Sequence, residues 1–209
     1  RTMSDLQCPA TLLVARHGDA EYPVHGVLTD DGGRLTATGR SQAQALAEAV
    51  RTRRVAAVYA STMTRAEATG DILARALGVR LNVVAGLQEF SVGDLAGVPY
   101  TDPRPQQVFE AWLDGDLEVG IPGGENGLGV IDRVEEALGT IADAHRGETV
   151  LVISHGGVMS LALPRLADNV PNDLARARYL PNCVPAELRA DADGWALFDW
   201  PGSTDRSVV

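Results

Sequence analysis

Arg16-His17-Gly18 follows directly on the apolar run Leu12-Leu13-Val14-Ala15, and the design recurs where Val150-Leu151-Val152-Ile153 gives way to Ser154-His155-Gly156-Gly157. A buried strand that ends on an imidazole and then glycine delivers the ring to a turn that glycine lets bend sharply. Histidine supplies a nucleophilic nitrogen or an acid–base group near neutral pH. Arginine offers a forked pair of N–H donors suited to a phosphate or carboxylate. The chain has only four histidines, so two at strand ends before glycine are a marked concentration. Together these residues suggest chemistry on an anionic group.

The elements that must carry them follow from periodicity and punctuation. Residues 11–15 read as a first strand, 55–60 as a second, 80–84 as a short third and 149–154 as another buried strand. Ala43, Leu46, Ala47 and Val50 keep helical spacing within 38–53, with Thr36 or Thr38 able to cap the start. A second helix is expected over 64–77, closed by Gly78 and capped by Thr62 or Thr64. An amphipathic helix is expected over 127–144 and a further helix over 157–165. Residues 184–190 and 195–199, split by Asp191-Ala192-Asp193-Gly194, look like a terminal antiparallel pair. Residues 1–10 read as a leader and 201–209 as a polar tail expected to be mobile. Alternating strands and helices imply an α/β three-layer sandwich with a mostly parallel central sheet. In such sheets ligands bind beyond the carboxyl ends of the strands, where His17, Ser61 and His155 fall. The stretch 90–126, rich in proline and glycine with a short helical piece over 106–113, breaks the rhythm and reads as a lid inserted into a single domain spanning 1–209.

Composition narrows the partners. With 209 residues, 45% apolar and 22% charged, the chain can bury a full core. No apolar run approaches the roughly 20 residues of a membrane helix, so no membrane partner is expected. A net charge of −10 argues against a nucleic-acid surface and requires any anion pocket to concentrate positive charge locally. Two cysteines, Cys8 and Cys183, do not suggest a disulfide framework, which makes a reducing cytoplasm the expected setting. A homodimer stays open. Walker, dinucleotide-fingerprint, His-Glu-x-x-His, Cys-x-x-Cys and Gly-x-Ser-x-Gly patterns are all missing.

The paired motif resembles that of the histidine phosphatase superfamily, the phosphoglycerate mutase-like proteins. The family's other signposts stand in its order. Leu35-Thr36-Ala37-Thr38-Gly39 resembles Leu-Thr-x-x-Gly, and Ser61-Thr62-Met63-Thr64-Arg65-Ala66 resembles Ser-x-x-x-Arg-Ala with its second phosphate-binding arginine. Leu87-Gln88-Glu89, with Gly93 four residues on, resembles the segment carrying an acid–base glutamate. The resemblance spans about residues 11–160 and belongs to the phosphatase branch.

What it implies is a metal-independent phosphomonoesterase that needs no cofactor and acts on a small phosphorylated metabolite. His17 would become a phosphohistidine; Arg16, Arg65 and His155, with Gly156 beside it, would bind the phosphoryl group; Glu89 would protonate the leaving oxygen. Glu21 and Glu125 are rival carboxylates. A phosphoglycerate-type mutase and a non-catalytic phospho-ligand binder are the alternatives. The mutase is disfavoured by the lack of the longer insertion and tail expected of cofactor-dependent mutases. His25 lies close enough along the chain to brush substrate, whereas His145 reads as solvated. Four positions depart from the family pattern: Asp19 for glutamate, Pro23 where a phosphate-touching asparagine is expected, Ala96 for glutamate and Asn126 for a common serine. They leave the organic part of the substrate open, with Phe90, Tyr100, Phe109 and Trp112 as the lid's few aromatics.

Overall fold

The apolar runs become the strands of one six-stranded sheet. The computed structural model describes residues 8–30 and 32–205. In chain order the elements are β1 (Ala10–Arg16), β2 (Ala20–Glu21), β3 (Arg34–Leu35), α1 (Ala37–Ala49), β4 (Val55–Ser61), α2 (Thr64–Leu77), β5 (Arg80–Val84), α3 (Arg104–Leu113), α4 (Gly127–Ala144), β6 (Thr149–Ser154), α5 (Gly156–Leu166), β7 (Pro185–Ala190) and β8 (Trp195–Asp199). The large sheet runs β5-β4-β6-β1-β7-β8, with β5, β4, β6 and β1 parallel and β7 antiparallel to both neighbours. The protein is therefore an α/β sandwich with a mostly parallel sheet.

Side-chain alternation divides the core into two layers. Leu12 and Val14 of β1, with Val150 and Val152 of β6, pack against α4 and α5. Leu13 and Ala15, with Leu151 and Ile153, pack against α1 and α2. Strands covered on both faces have no polar side to present, which is why β1 and β6 read as unbroken apolar runs.

Capping fixes where the helices begin and end. Thr36 accepts from Gly39 N–H at 3.0 Å and starts α1, so Thr36 rather than Thr38 is the cap. Asn126 does the same for α4, accepting from Gly129 N–H at 2.9 Å. No side chain caps α2: Met63 holds that position, and neither Thr62 nor Thr64 serves. Gly78, at φ 69°, closes α2 in the left-handed region that glycine adopts without strain.

Other expectations need correction. Ala10 already belongs to β1, and residues 1–7 of the expected leader lie outside the described residues. The tail is not loose at its start: Ser203 and Tyr179 exchange backbone hydrogen bonds of 2.7 and 2.9 Å, while 206–209 lie outside the described residues. Trp112 is no surface aromatic of the lid. It is fully buried, donates its indole N–H to Val119 O at 2.7 Å, and packs edge-on to Phe90 at 5.1 Å. Helix α3 is thus anchored in the main core.

Candidate active site

Strand register assembles the site. β1 and β6 pair with Arg16 opposite Ser154, and β4 pairs with β6 so that Ala60 faces Ile153. His17, His155 and Ser61 therefore emerge side by side at the carboxyl ends of three adjacent parallel strands. The rings of His17 and His155 lie 5.1 Å apart. Both are buried, His17 at 5% exposure and His155 at 0%.

Hydrogen bonds fix which nitrogen of His17 carries the proton. Its Nδ1 lies 2.7 Å from Gly18 O, and a carbonyl only accepts, so Nδ1 bears the hydrogen. Nε2 in turn accepts from Arg65 Nε–H at 3.0 Å, which leaves its lone pair on the guanidinium side. Burial, then the charges of Arg65 and Arg16, press the His17 pKa down from 6.5 to about 3. The ring is neutral at physiological pH, the state a nucleophile requires.

His155 is set by Ser61. Ser61 Oγ lies 2.6 Å from His155 Nε2 and accepts from Met63 N–H at 3.4 Å, so its own hydrogen can be donated to Nε2. The ring proton then sits on Nδ1, which is buried and has no partner among the described residues. Burial, followed by the charges of Arg65, His17 and Arg133, holds the His155 pKa well below its ordinary value. A neutral, buried N–H donor with no protein partner suits an oxyanion.

The two arginines are tethered from behind. Arg16 donates to Leu180 O at 3.1 Å, and Arg65, 5% exposed, donates to Gly32 O at 2.8 Å. Burial lowers the Arg16 pKa, and the neighbouring Glu89 carboxylate works against that fall. Glu89 sits at the N-terminus of α5, accepting from Gly157 N–H at 2.9 Å and Val158 N–H at 2.7 Å. Burial raises its pKa, partly offset by the Gly157, Phe90 and Val158 amides and by Arg65. A carboxyl held above its ordinary range is disposed to carry a proton.

The rival carboxylates are placed otherwise. Glu125 is held by Arg133 through two contacts of 2.6 and 3.0 Å, and Glu21 is exposed on β2. His25 is exposed in the loop after β2. His145 is not solvated: its side chain is 13% exposed, with Nε2 at 2.9 Å from Tyr59 Oη and Nδ1 at 2.6 Å from Glu148. It lies apart from the histidine pair.

Several supporting residues escaped sequence reasoning. Asn182 donates to His17 O at 2.6 Å, Cys183 N–H donates to Arg16 O at 2.9 Å, and Gly18 N–H donates to Thr69 Oγ1 at 3.0 Å. Thr69 also ties back to Arg65 O at 2.7 Å, linking the His17 turn and the arginine through one hydroxyl. Gly39 has a steric role: a Cβ there would stand 2.1 Å from Asp19 O, so α1 can approach the turn after His17 only with glycine at that position. No local pattern flags Asn182 or Thr69, because their partners lie 165 and 51 residues away.

With this geometry in place, the comparison with known proteins decides the kinship. A family model described as histidine phosphatase superfamily (branch 1) matches residues 12–201. The chain belongs to that superfamily. Among histidine phosphatase relatives, it is 32% identical over 202 residues to phosphoglycerate mutase-like protein 4 of Arabidopsis thaliana, covering 91% of this chain and 84% of that one. It is 31% identical over 207 residues to the metal-independent phosphoserine phosphatase of the same plant, covering 95% and 84%. Bacillus stearothermophilus YhfR superposes with a TM-score of 0.78 at 26% identity over 93% of this chain and 98% of that one. Among the described residues no helix is long and apolar enough to cross a membrane.

Proposed function

We propose that this protein is a phosphomonoesterase that hydrolyses a small phosphorylated metabolite through a phosphohistidine on Nε2 of His17. The observation that carries the reading is the tautomer. With Nδ1 committed to Gly18 O, the lone pair of a neutral, buried imidazole is on Nε2, against the Arg65 guanidinium. A phosphoryl group held by Arg16, Arg65 and the Nδ1–H of His155, with the Gly156 amide at the start of α5, takes over the Arg65 contact and meets Nε2.

Nε2 attacks phosphorus, the P–O bond to the leaving group breaks, and Glu89 transfers its proton to the departing oxygen. Glu89 then takes a proton from water, whose oxygen attacks phosphorus and breaks the P–N bond, releasing phosphate and restoring His17. Two guanidinium groups and an imidazole supply the charge stabilisation, so the scheme runs without a metal. In the same reading 1–209 is one domain, with 90–126 its substrate lid. The same reading sets the protein in a reducing cytoplasm, the setting that a content of two cysteines led us to expect.

Likeness to a phosphoglycerate mutase-like protein makes mutase action the second reading. It uses the same pocket but returns the phosphoryl group to the product. One experiment separates them: rapid quench with a ³²P-labelled monoester, followed by peptide mapping and analysis of product. The expected result is an acid-labile, alkali-stable label on the His17 peptide, absent in His17→Ala, with inorganic phosphate as the product. Isomerised ester without free phosphate would establish the mutase. An unlabelled protein without turnover would establish a binder.

A further inference from the structure

Two loops at the mouth of the site are stitched into one rim. Leu28 N–H donates to Val98 O and Gly97 N–H to Leu28 O, both at 2.9 Å, and Tyr100 N–H donates to Gly26 O at 2.7 Å. The Asp30 carboxylate accepts from Ser91 Oγ at 2.6 Å and Val92 N–H at 2.8 Å. The segment after β2 and the first part of the lid are therefore one structure. Among the described residues, the two most exposed large apolar or aromatic side chains of the protein lie on it, Tyr100 at 74% and Val24 at 59%. Exposed groups of that kind concentrated at one place mark a binding surface. Tyr22, at the inner end of the same rim, lies 5.6 Å from the Arg65 guanidinium, and both Tyr22 and Tyr100 are within electrostatic reach of Arg16.

The rim is aromatic and poor in arginine. The chain contains no lysine, so all 18 of its basic residues are arginines. Arg104, on the lid, is held by Asp102 through contacts of 2.9 and 2.8 Å. Arg133 is committed to Glu125 and to the carbonyls of Gly86 and Gln88. Arg34, exposed on β3, is the backbone register partner of Glu21, a residue of opposite charge on β2. Asp30 and Asp94 add negative charge to the rim itself. The rim segments 22–30 and 91–100 themselves carry no arginine, and Arg16 and Arg65 belong to the phosphoryl pocket.

We infer that this rim is a leaving-group subsite for phosphomonoesters whose organic part is uncharged and aromatic or apolar, and that it selects against esters bearing a second anion. The inference rests on the phosphatase reading above. A carboxylate or second phosphate entering the rim loses water and gains no cation, while Tyr22 and Tyr100 offer ring faces and hydroxyls to a neutral group.

The test compares phenyl phosphate with 4-carboxyphenyl phosphate, which share ring and ester and differ by one remote carboxylate. The wild type should favour phenyl phosphate in kcat/KM by about tenfold or more, a ratio equivalent to about 1.4 kcal/mol. The ratio should shrink as salt is raised, since exposed charges are screened over about 10 Å at 0.1 M. Tyr100→Arg should narrow it by supplying the missing cation. Equal kcat/KM for the two esters, or a ratio unmoved by Tyr100→Arg, would overturn the assignment of the rim. Turnover of neither ester would overturn the phosphatase reading instead. The rim would then be judged by calorimetric binding of the two esters, where equal affinity refutes it.

Discussion

Gly157→Ala tests how the proposed proton donor is held. The backbone of residue 157 opens α5 without a positive φ, so alanine is conformationally welcome there and helix propensity favours it. Space is the obstacle. A Cβ would stand 2.5 Å from Phe90 Cε1 and 2.9 and 3.1 Å from the two carboxylate oxygens of Glu89. The Phe90 ring cannot swing away, because Phe109 stacks on it at 5.9 Å and Trp112 abuts it at 5.1 Å. The Glu89 carboxyl group must yield, losing its bonds from the Gly157 and Val158 amides. Overpacking of about 1–3 kcal/mol, less the gain of about 1 kcal/mol from replacing a helical glycine, should cost about 0–2 kcal/mol of net stability in urea unfolding. Activity should fall far more. A misplaced general acid costs about 10²–10⁴-fold on an alkyl phosphate and much less on p-nitrophenyl phosphate, whose leaving group needs little protonation. Gly156→Ala is the control: its Cβ would lie 3.4 Å from Arg16 Cδ, an ordinary contact, so both substrates should stay within about tenfold of wild type. An unchanged ratio of alkyl to p-nitrophenyl activity in Gly157→Ala would refute this account of how Glu89 is held.

Three further outcomes follow from the same geometry. Glu89→Gln, which keeps the shape but removes the proton, should depress alkyl phosphate turnover strongly and p-nitrophenyl phosphate weakly; equal losses would point to a structural role. Arg65→Ala removes a transition-state donor and should lower kcat/KM by about a hundredfold or more, whereas a loss under about threefold would place Arg65 outside the chemistry. His17 is held neutral down to about pH 3 when folded but takes a proton near pH 6.5 when unfolded, so its contribution to stability is present above about pH 6.5 and is lost as pH falls towards 3. Urea unfolding at about pH 7.5 and about pH 4.5 should therefore show wild type losing about 2–3 kcal/mol more than His17→Ala, and equal losses would contradict the neutral buried ring.

Features written in local pattern were legible in the sequence. The apolar runs located β1, β4 and β6, and the boundaries 64–77, 80–84, 127–144, 149–154 and 195–199 match residue for residue. Glycine and capping side chains punctuate those elements within three or four residues, so their signals survive in one dimension. The two strand-end histidines stood out for the same reason, and the ordered motifs brought Arg65 and Glu89 beside them by resemblance. The β2–β3 pair, two residues on each strand, was too short to show a period.

Tertiary structure alone decided which side chains serve as partners. Asn182 steadies the His17 carbonyl across 165 positions of chain, and Thr69 joins the nucleophile turn to α2 across 51. The placement of His145 depended on Tyr59, 86 residues away, and the engagement of Glu125 depended on Arg133. Trp112 looked like a lid aromatic until α3 folded it into the core. Residue type states what a side chain can donate or accept, but protonation, burial and pairing are set by neighbours that only the packed chain brings within about 3 Å.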